Sequence, residues 1–148
     1  MLRSILAVIA SYIVMSILVV GLFMGLWFGF GPNRLLKPGS FEGNMLITIA
    51  APAITILCGL FGGWMCVKIA RGTRPVIVLA GIVFSLGLLM AYFTLQKPFP
   101  TGPRDPNMTV AELMKKGREP AWVALSNPIL GAAGVLLGGF LCRPKKPN

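Results

Sequence analysis

Side chains that could carry out catalysis or bind a metal are scarce in this sequence. It contains no histidine, and its only carboxylates are those of Glu42, Asp105, Glu112 and Glu119. General acid–base catalysis and most protein metal sites depend on close groups of His, Asp, Glu or Cys. We therefore expect no catalytic residue, no metal ligand and no cofactor. An enzyme of this sequence would have to use the loop residues Asp105, Glu112 and Glu119.

The three cysteines, Cys58, Cys66 and Cys142, do not form a metal or redox motif. None is separated from another by the two residues typical of such motifs. No histidine is present to complete a ligand set, so a zinc or iron–sulfur site is poorly supported. We interpret the three thiols as small apolar side chains that fill space between helices.

Asn127 is the most conspicuous polar residue within the apolar stretches. It is followed by Pro128, which interrupts helical hydrogen bonding and leaves the carbonyl of Ala124 without its usual donor. Two interpretations of this polar site stay open. The Asn127 amide either bonds to the kink or to lipid headgroups, or it contacts a substrate or another helix. Because proline cannot donate to the carbonyl four residues before it, we also predict that the second and fourth helices bend at Pro52 and Pro128, at similar depths near the outer face.

Small residues four positions apart occur in every long apolar segment. In lipid, such spacing lets two helix backbones approach closely, and this packing replaces the hydrophobic drive of soluble cores. One interpretation is packing within the bundle; the other is a surface that docks another protein, for which the first helix is the best candidate. The predicted packing residues are Gly21, Gly25, Gly29, Gly59, Gly63, Gly134 and Gly138, and Gly81 and Ser85 share the spacing.

The segments that must position these residues are long and apolar. Hydrophobic residues make up 55% of the 148, charged residues only 12%, and the mean hydropathy is +0.79, values typical of a membrane protein. We predict an all-α integral membrane bundle, a single domain spanning 1–148. Its four transmembrane helices are expected at about 5–30, 45–67, 75–95 and 120–142. A start at Pro128 would leave the fourth helix too short to span, so we prefer Pro120.

The loops differ in charge, which predicts their sides. Lys and Arg divide evenly, but three of them, Lys68, Arg71 and Arg74, lie in one short loop, and such density favours the cytoplasm. We therefore predict both termini in the cytoplasm, in a bacterial inner membrane. In the long loop on the other side, Thr109 and Glu112 form a capping box for a short helix. That helix lies either at the membrane interface or in solvent.

A comparison of the sequence with itself indicates a tandem duplication. Shifted by 76 residues, positions 52–66 match positions 128–142 at five of fifteen residues, including Pro52 with Pro128 and Cys66 with Cys142. The hairpins 1–74 and 75–148 would then be repeats, an arrangement known in some transporters. The other interpretation is chance, because apolar segments built from few residue types resemble each other easily.

The sequence excludes more functions than it indicates. No charged residue lies within a predicted span, and neither a nucleophile–base pair nor a metal cluster is evident. We expect a non-catalytic accessory or assembly subunit of a larger membrane complex. Its partners would be the lipid bilayer and other membrane protein chains or further copies of itself, without nucleic acid. The alternative is a small oligomeric carrier or channel for a neutral solute.

Overall fold

The computed structural model describes residues 2–98, 100, 105 and 107–142, and these residues are mostly helical. They contain no β-strand beyond two isolated bridges. The helices are α1 (Leu2–Phe30), α2 (Pro32–Leu35), α3 (Met45–Ala70), α4 (Arg74–Gln96), α5 (Val110–Lys116) and α6 (Ala121–Leu141). Four of them, α1, α3, α4 and α6, are long and apolar enough to cross a membrane. The predicted all-α class with four such helices is therefore confirmed.

The long helices begin and end close to the predicted positions. α1 begins at Leu2 and α3 continues to Ala70, each three residues beyond the predicted bound. α3 stops where Arg71 adopts the left-handed conformation, with φ at 56°. α6 begins at Ala121 and runs through Pro128, so the longer of the two versions considered for the fourth helix is the one observed.

The main core lies between the four long helices and is built from small and medium side chains. These helices bury only narrow strips, and large apolar residues cover the rest of their surfaces. α3 packs against both α1 and α6, and α4 also packs against α6. The buried core residues are Ala7, Val8, Met15, Cys58, Cys66, Val67, Val76, Leu79, Ala80 and Val135.

A second, smaller core lies at one end of the bundle, where the two long loops meet. We call the described residues 31–44 and 107–120 the loop cap. The backbone N–H of Gly43 donates to the carbonyl of Arg118, and the N–H of Arg118 donates to the carbonyl of Phe41, both at 2.8 Å. These bonds hold the two loops together. The buried residues of this core are Trp27, Leu35, Leu36, Phe41, Ile47 and Leu113.

α5 begins with the predicted capping box. The Thr109 hydroxyl accepts from the N–H of Glu112, and the Glu112 carboxylate accepts from the N–H of Thr109 at 2.9 Å. The apolar side of α5 packs on the protein, since Leu113 is buried in the loop cap and Met114 is half-buried beside it. The short helix α2 was not predicted. It has only four residues and begins at Pro32, so it is too short to produce a periodic pattern.

Candidate functional site

Two of the predicted packing glycines, Gly59 and Gly134, lie where α3 and α6 touch backbone to backbone. A Cβ built on Gly59 would lie 2.7 Å from the carbonyl oxygen of Gly131. On the facing helix, a Cβ on Gly134 would lie 2.8 Å from the carbonyl oxygen of Ile56. Real Cβ atoms do not come this close to a carbonyl, so neither position accepts a larger residue without a shift of the helices.

The same contact continues one turn further along both helices. A Cβ on Gly63 would collide with the carbonyl of Val135, and a Cβ on Gly138 with the carbonyl of Leu60. Gly59 faces Gly131 and Gly63 faces Val135, so a step of four residues along α3 matches a step of four residues in the same direction along α6. The two helices therefore run parallel. This is the polarity that the proposed duplication requires. The duplication itself stays a prediction.

The glycines of α1 have a different environment. Built Cβ atoms on Gly21, Gly25 and Gly29 meet no atom within 4 Å, and all three residues are exposed. Gly81 of α4 is equally open. The structure therefore divides the predicted set, because the glycines of α3 and α6 pack inside the bundle and those of α1 lie on its outer surface. We call the surface formed by Gly21, Gly25 and Gly29 the α1 ridge.

A cavity of about 450 Å³ lies between α1, α4 and α6 and extends to the loop cap. Its volume is within the range of about 300–1,000 Å³ typical of small-molecule sites. Most of its walls are apolar, and they include Met15, Phe23, Val83, Met90, Ala124 and Pro128. The polar groups on its surface include Asn127 and, at the loop cap, Arg118 and Glu119. A predominantly apolar cavity with a few convergent polar groups is a candidate binding site.

Asn127 and Pro128 occupy the α6 wall of this cavity. The Asn127 Nδ2 lies 3.5 Å from a carboxylate oxygen of Glu119, a long hydrogen bond. Its Oδ1 is buried and has no hydrogen-bond donor among the described residues. Pro128 is buried against α4, because a Cβ on Gly87 would lie 2.9 Å from the Cβ of the proline. The predicted polar site therefore faces a cavity and includes an unpaired acceptor.

Glu119 is the residue of this site that the sequence did not reveal. Its carboxylate is half-buried and forms no salt bridge within the described part of the chain, where the pair Lys37–Glu42 at 2.6 Å is the one ion pair. Burial raises the pKa of Glu119, and the hydrogen bond from Asn127 partly opposes this increase. Glu119 also lines two adjoining cavities of about 390 and 220 Å³. Three cavities therefore meet at one unneutralised carboxyl group.

Arg118, the neighbour of Glu119, is engaged elsewhere. Its Nη2 donates to the carbonyl of Thr94 at 2.6 Å and also to the carbonyl of Lys97. These carbonyls belong to the carboxyl end of α4, where cationic side chains stabilise both the unpaired acceptors and the helix dipole. Arg118 therefore fixes the end of α4 to the loop cap rather than neutralising Glu119.

The spacing of Glu119 and Asn127 gives only a weak signal for this site. They are eight residues apart, which would place them on one side of a helix only if that helix began before Glu119, whereas α6 begins at Ala121. Hydropathy places Glu119 in the loop before the fourth predicted span, so the pairing does not follow from the apolar pattern. Even with the pairing, the cavity could not be predicted, because it also depends on how α1 and α4 pack.

Comparison with known proteins assigns no role to these residues, because no family model, no curated protein and no solved structure matches the chain. Among the described residues, no group of three His, Cys, Asp or Glu side chains could hold a metal ion. The cavity around Asn127 and Glu119 and the open α1 ridge are the two features from which function can be argued.

Proposed function

We propose that the chain is a multi-pass protein of a bacterial cytoplasmic membrane, with α1, α3, α4 and α6 as its spans. The support is their length and apolar surface. Both termini would lie in the cytoplasm with the basic turn at Lys68–Arg74, and the loop cap would lie outside. In this orientation α5 would lie at the outer membrane interface, with the exposed side chains of Lys115 and Lys116 able to reach headgroups.

Within that membrane, the proposed role is that of a non-catalytic accessory or assembly subunit. The observation that carries the proposal is the α1 ridge, where three glycines four residues apart have open space above them. In α3 and α6, glycines with the same spacing are covered by a neighbouring backbone. A second membrane protein chain, or another copy of this one, could approach the α1 ridge equally closely.

The test replaces a ridge glycine by a side chain that keeps a partner helix at a distance. Gly25→Leu should abolish co-purification of a stoichiometric partner, or self-association, in mild detergent, because close approach is no longer available. Gly81→Leu is the matched control, since that site is equally open but lies on α4. Mass spectrometry of the co-purifying chains gives the readout. Equal partner recovery from both variants would contradict docking at the α1 ridge.

The second candidate function is a small oligomeric carrier or channel. The observation that favours it is the cavity, which reaches from the loop cap along α6, past Asn127 and Pro128, to Gly131 in the middle of that helix. Four helices enclose little volume, so a complete pathway would require several copies. Reconstituted protein should then accelerate swelling of liposomes in a gradient of a small polyol, and Asn127→Leu should remove the acceleration. No difference from empty liposomes would contradict this function.

A further inference from the structure

We propose that the cavity between α1, α4 and α6 binds a small organic cation, an ammonium group on an apolar body, with Glu119 and Asn127 as the acceptors. The binding site would exist whether the chain acts as an accessory subunit or as a carrier. It goes beyond the alternative function, a carrier or channel for a neutral solute, because the carboxylate that provides the charge is brought to the cavity only by the fold.

The polar end of the cavity offers acceptors that lack donors. The Glu119 carboxylate receives one long hydrogen bond from Asn127, and the Asn127 Oδ1 receives none within the described residues. Burying an acceptor without a hydrogen-bond donor destabilises the protein, and a ligand that supplies the donor removes this cost. An ammonium group supplies three N–H donors and a positive charge, whereas a neutral hydroxyl supplies one donor. An anion would meet the negative charge of Glu119 and bring further acceptors.

No described cation of the chain already fills this role. Arg118 lines the same cavity but forms no ion pair with Glu119, and its Nη2 is bonded instead to the carbonyls of Thr94 and Lys97. Lys37 lines the adjoining cavity and is paired with Glu42 at 2.6 Å. The negative charge of Glu119 is thus left for a ligand to neutralise.

The remainder of the cavity suits the apolar part of such a ligand. Met15 and Met90 contribute flexible, polarisable side chains that adapt to irregular shapes. Phe23 contributes an aromatic ring, which attracts a cation in addition to packing against apolar atoms. A ligand with its ammonium near Glu119 and its body toward these residues would satisfy both ends of the cavity.

Benzylammonium and benzyl alcohol provide the decisive comparison, because they differ mainly in charge and in the number of donors. Calorimetric titration of the full chain in nanodiscs of zwitterionic lipid, with empty nanodiscs subtracted, should show saturable binding of benzylammonium. Benzyl alcohol should bind at least about tenfold more weakly, since hydrogen bonds to charged groups contribute more than neutral ones. Equal binding of the two compounds, or no saturable binding of benzylammonium, would overturn the proposal without any variant.

Variants locate the site. Glu119→Gln keeps the shape of the side chain and should weaken benzylammonium binding by at least about tenfold, with little change for benzyl alcohol. Asp105→Asn is the matched control, because it removes one exposed charge outside the cavity, and its Kd should stay within about twofold. Should Glu119→Gln fail to fold, Asn127→Leu removes the second acceptor and should weaken binding in the same direction. Undiminished binding by a folded Glu119 or Asn127 variant would overturn the assignment.

Discussion

At the scale of single residues, the chemistry of the molecule is concentrated in Glu119. Its carboxyl group is half-buried without a cationic partner among the described residues, and burial raises its pKa above the ordinary value near 4.5. The proton is therefore held more tightly in the folded state than in the unfolded state. Consequently the charged carboxylate destabilises the fold above the folded-state pKa, and this destabilisation disappears as the pH falls below the unfolded-state value.

The raised pKa of Glu119 predicts a pH-dependent effect of Glu119→Gln. Above the folded-state pKa the variant should melt at a higher temperature than the original chain, because it removes the buried charge. As the pH falls from neutrality through that pKa, the difference in Tm should shrink. Thermal unfolding of both proteins in one detergent across this range is the measurement.

Comparing two proteins that differ only at Glu119 removes the influence of the other charged groups near the cavity, namely Arg118, Lys37 and Glu42. The charge of Glu112 should have the opposite effect on stability and should stabilise the fold, because the hydrogen bond from the Thr109 backbone lowers its pKa. Its contribution to stability is therefore lost as the pH falls through that lowered value. A Tm difference for Glu119→Gln that stays constant with pH would contradict the assignment of a raised pKa.

The sequence predicts one half of the candidate site and misses the other for a physical reason. Asn127 stands out because an amide followed by Pro128 is unusual within an apolar segment. Glu119 lies in a polar loop, where a carboxylate normally faces water and attracts no attention. Its burial results from the backbone bonds between Arg118 and residues 41–43, which form between loops distant in sequence. No local pattern encodes such a contact.

At the scale of elements, the close contact of α3 with α6 is the feature most sensitive to substitution. Gly63→Ala should lower the free energy of unfolding by about 1–3 kcal/mol, because the added Cβ collides with the carbonyl of Val135 and must push the helices apart. Gly25→Ala is the matched control, since its Cβ meets nothing within 4 Å. It should be neutral or slightly stabilising, because Ala is the better helix former.

Chemical or thermal unfolding in a fixed detergent compares the two alanine variants directly. Both substitutions raise helix propensity equally, so the difference between them reports the interhelical contact alone. If Gly63→Ala were as stable as Gly25→Ala, the backbone contact between α3 and α6 would not be as close as the structure shows.

The positions of the long helices are predicted well because length and hydropathy are local properties. An apolar run bounded by charges or by a turn fixes where each helix begins and ends within a few residues. The spacing of small residues also identifies which face of a helix can approach another. It does not identify the partner, so Gly21 and Gly59 look alike in the sequence although one is open and the other is covered.

At the scale of the whole molecule, the two ends of the bundle differ in construction. One end carries the loop cap with its own small core, and three cavities meet beside it. At the opposite end, α3 and α4 are joined by the short turn 71–73, and the basic residues Lys68, Arg71 and Arg74 lie in it or beside it. The proposed orientation places the loop cap and the polar end of the cavity on the outer side of the membrane.

The orientation predicts how cysteines react in intact cells. Cys142 lies at the end of α6 and is half-exposed. Cys58 and Cys66 are buried and should not react with a maleimide in the folded protein. A membrane-impermeant maleimide should therefore label Cys142 only after the membrane is permeabilised. Asp105→Cys places a thiol in the loop on the other side and should be labelled in intact cells, with peptide mapping as the readout. Labelling of Cys142 from outside, with Asp105→Cys protected, would reverse the orientation and would place the polar end of the cavity on the cytoplasmic side.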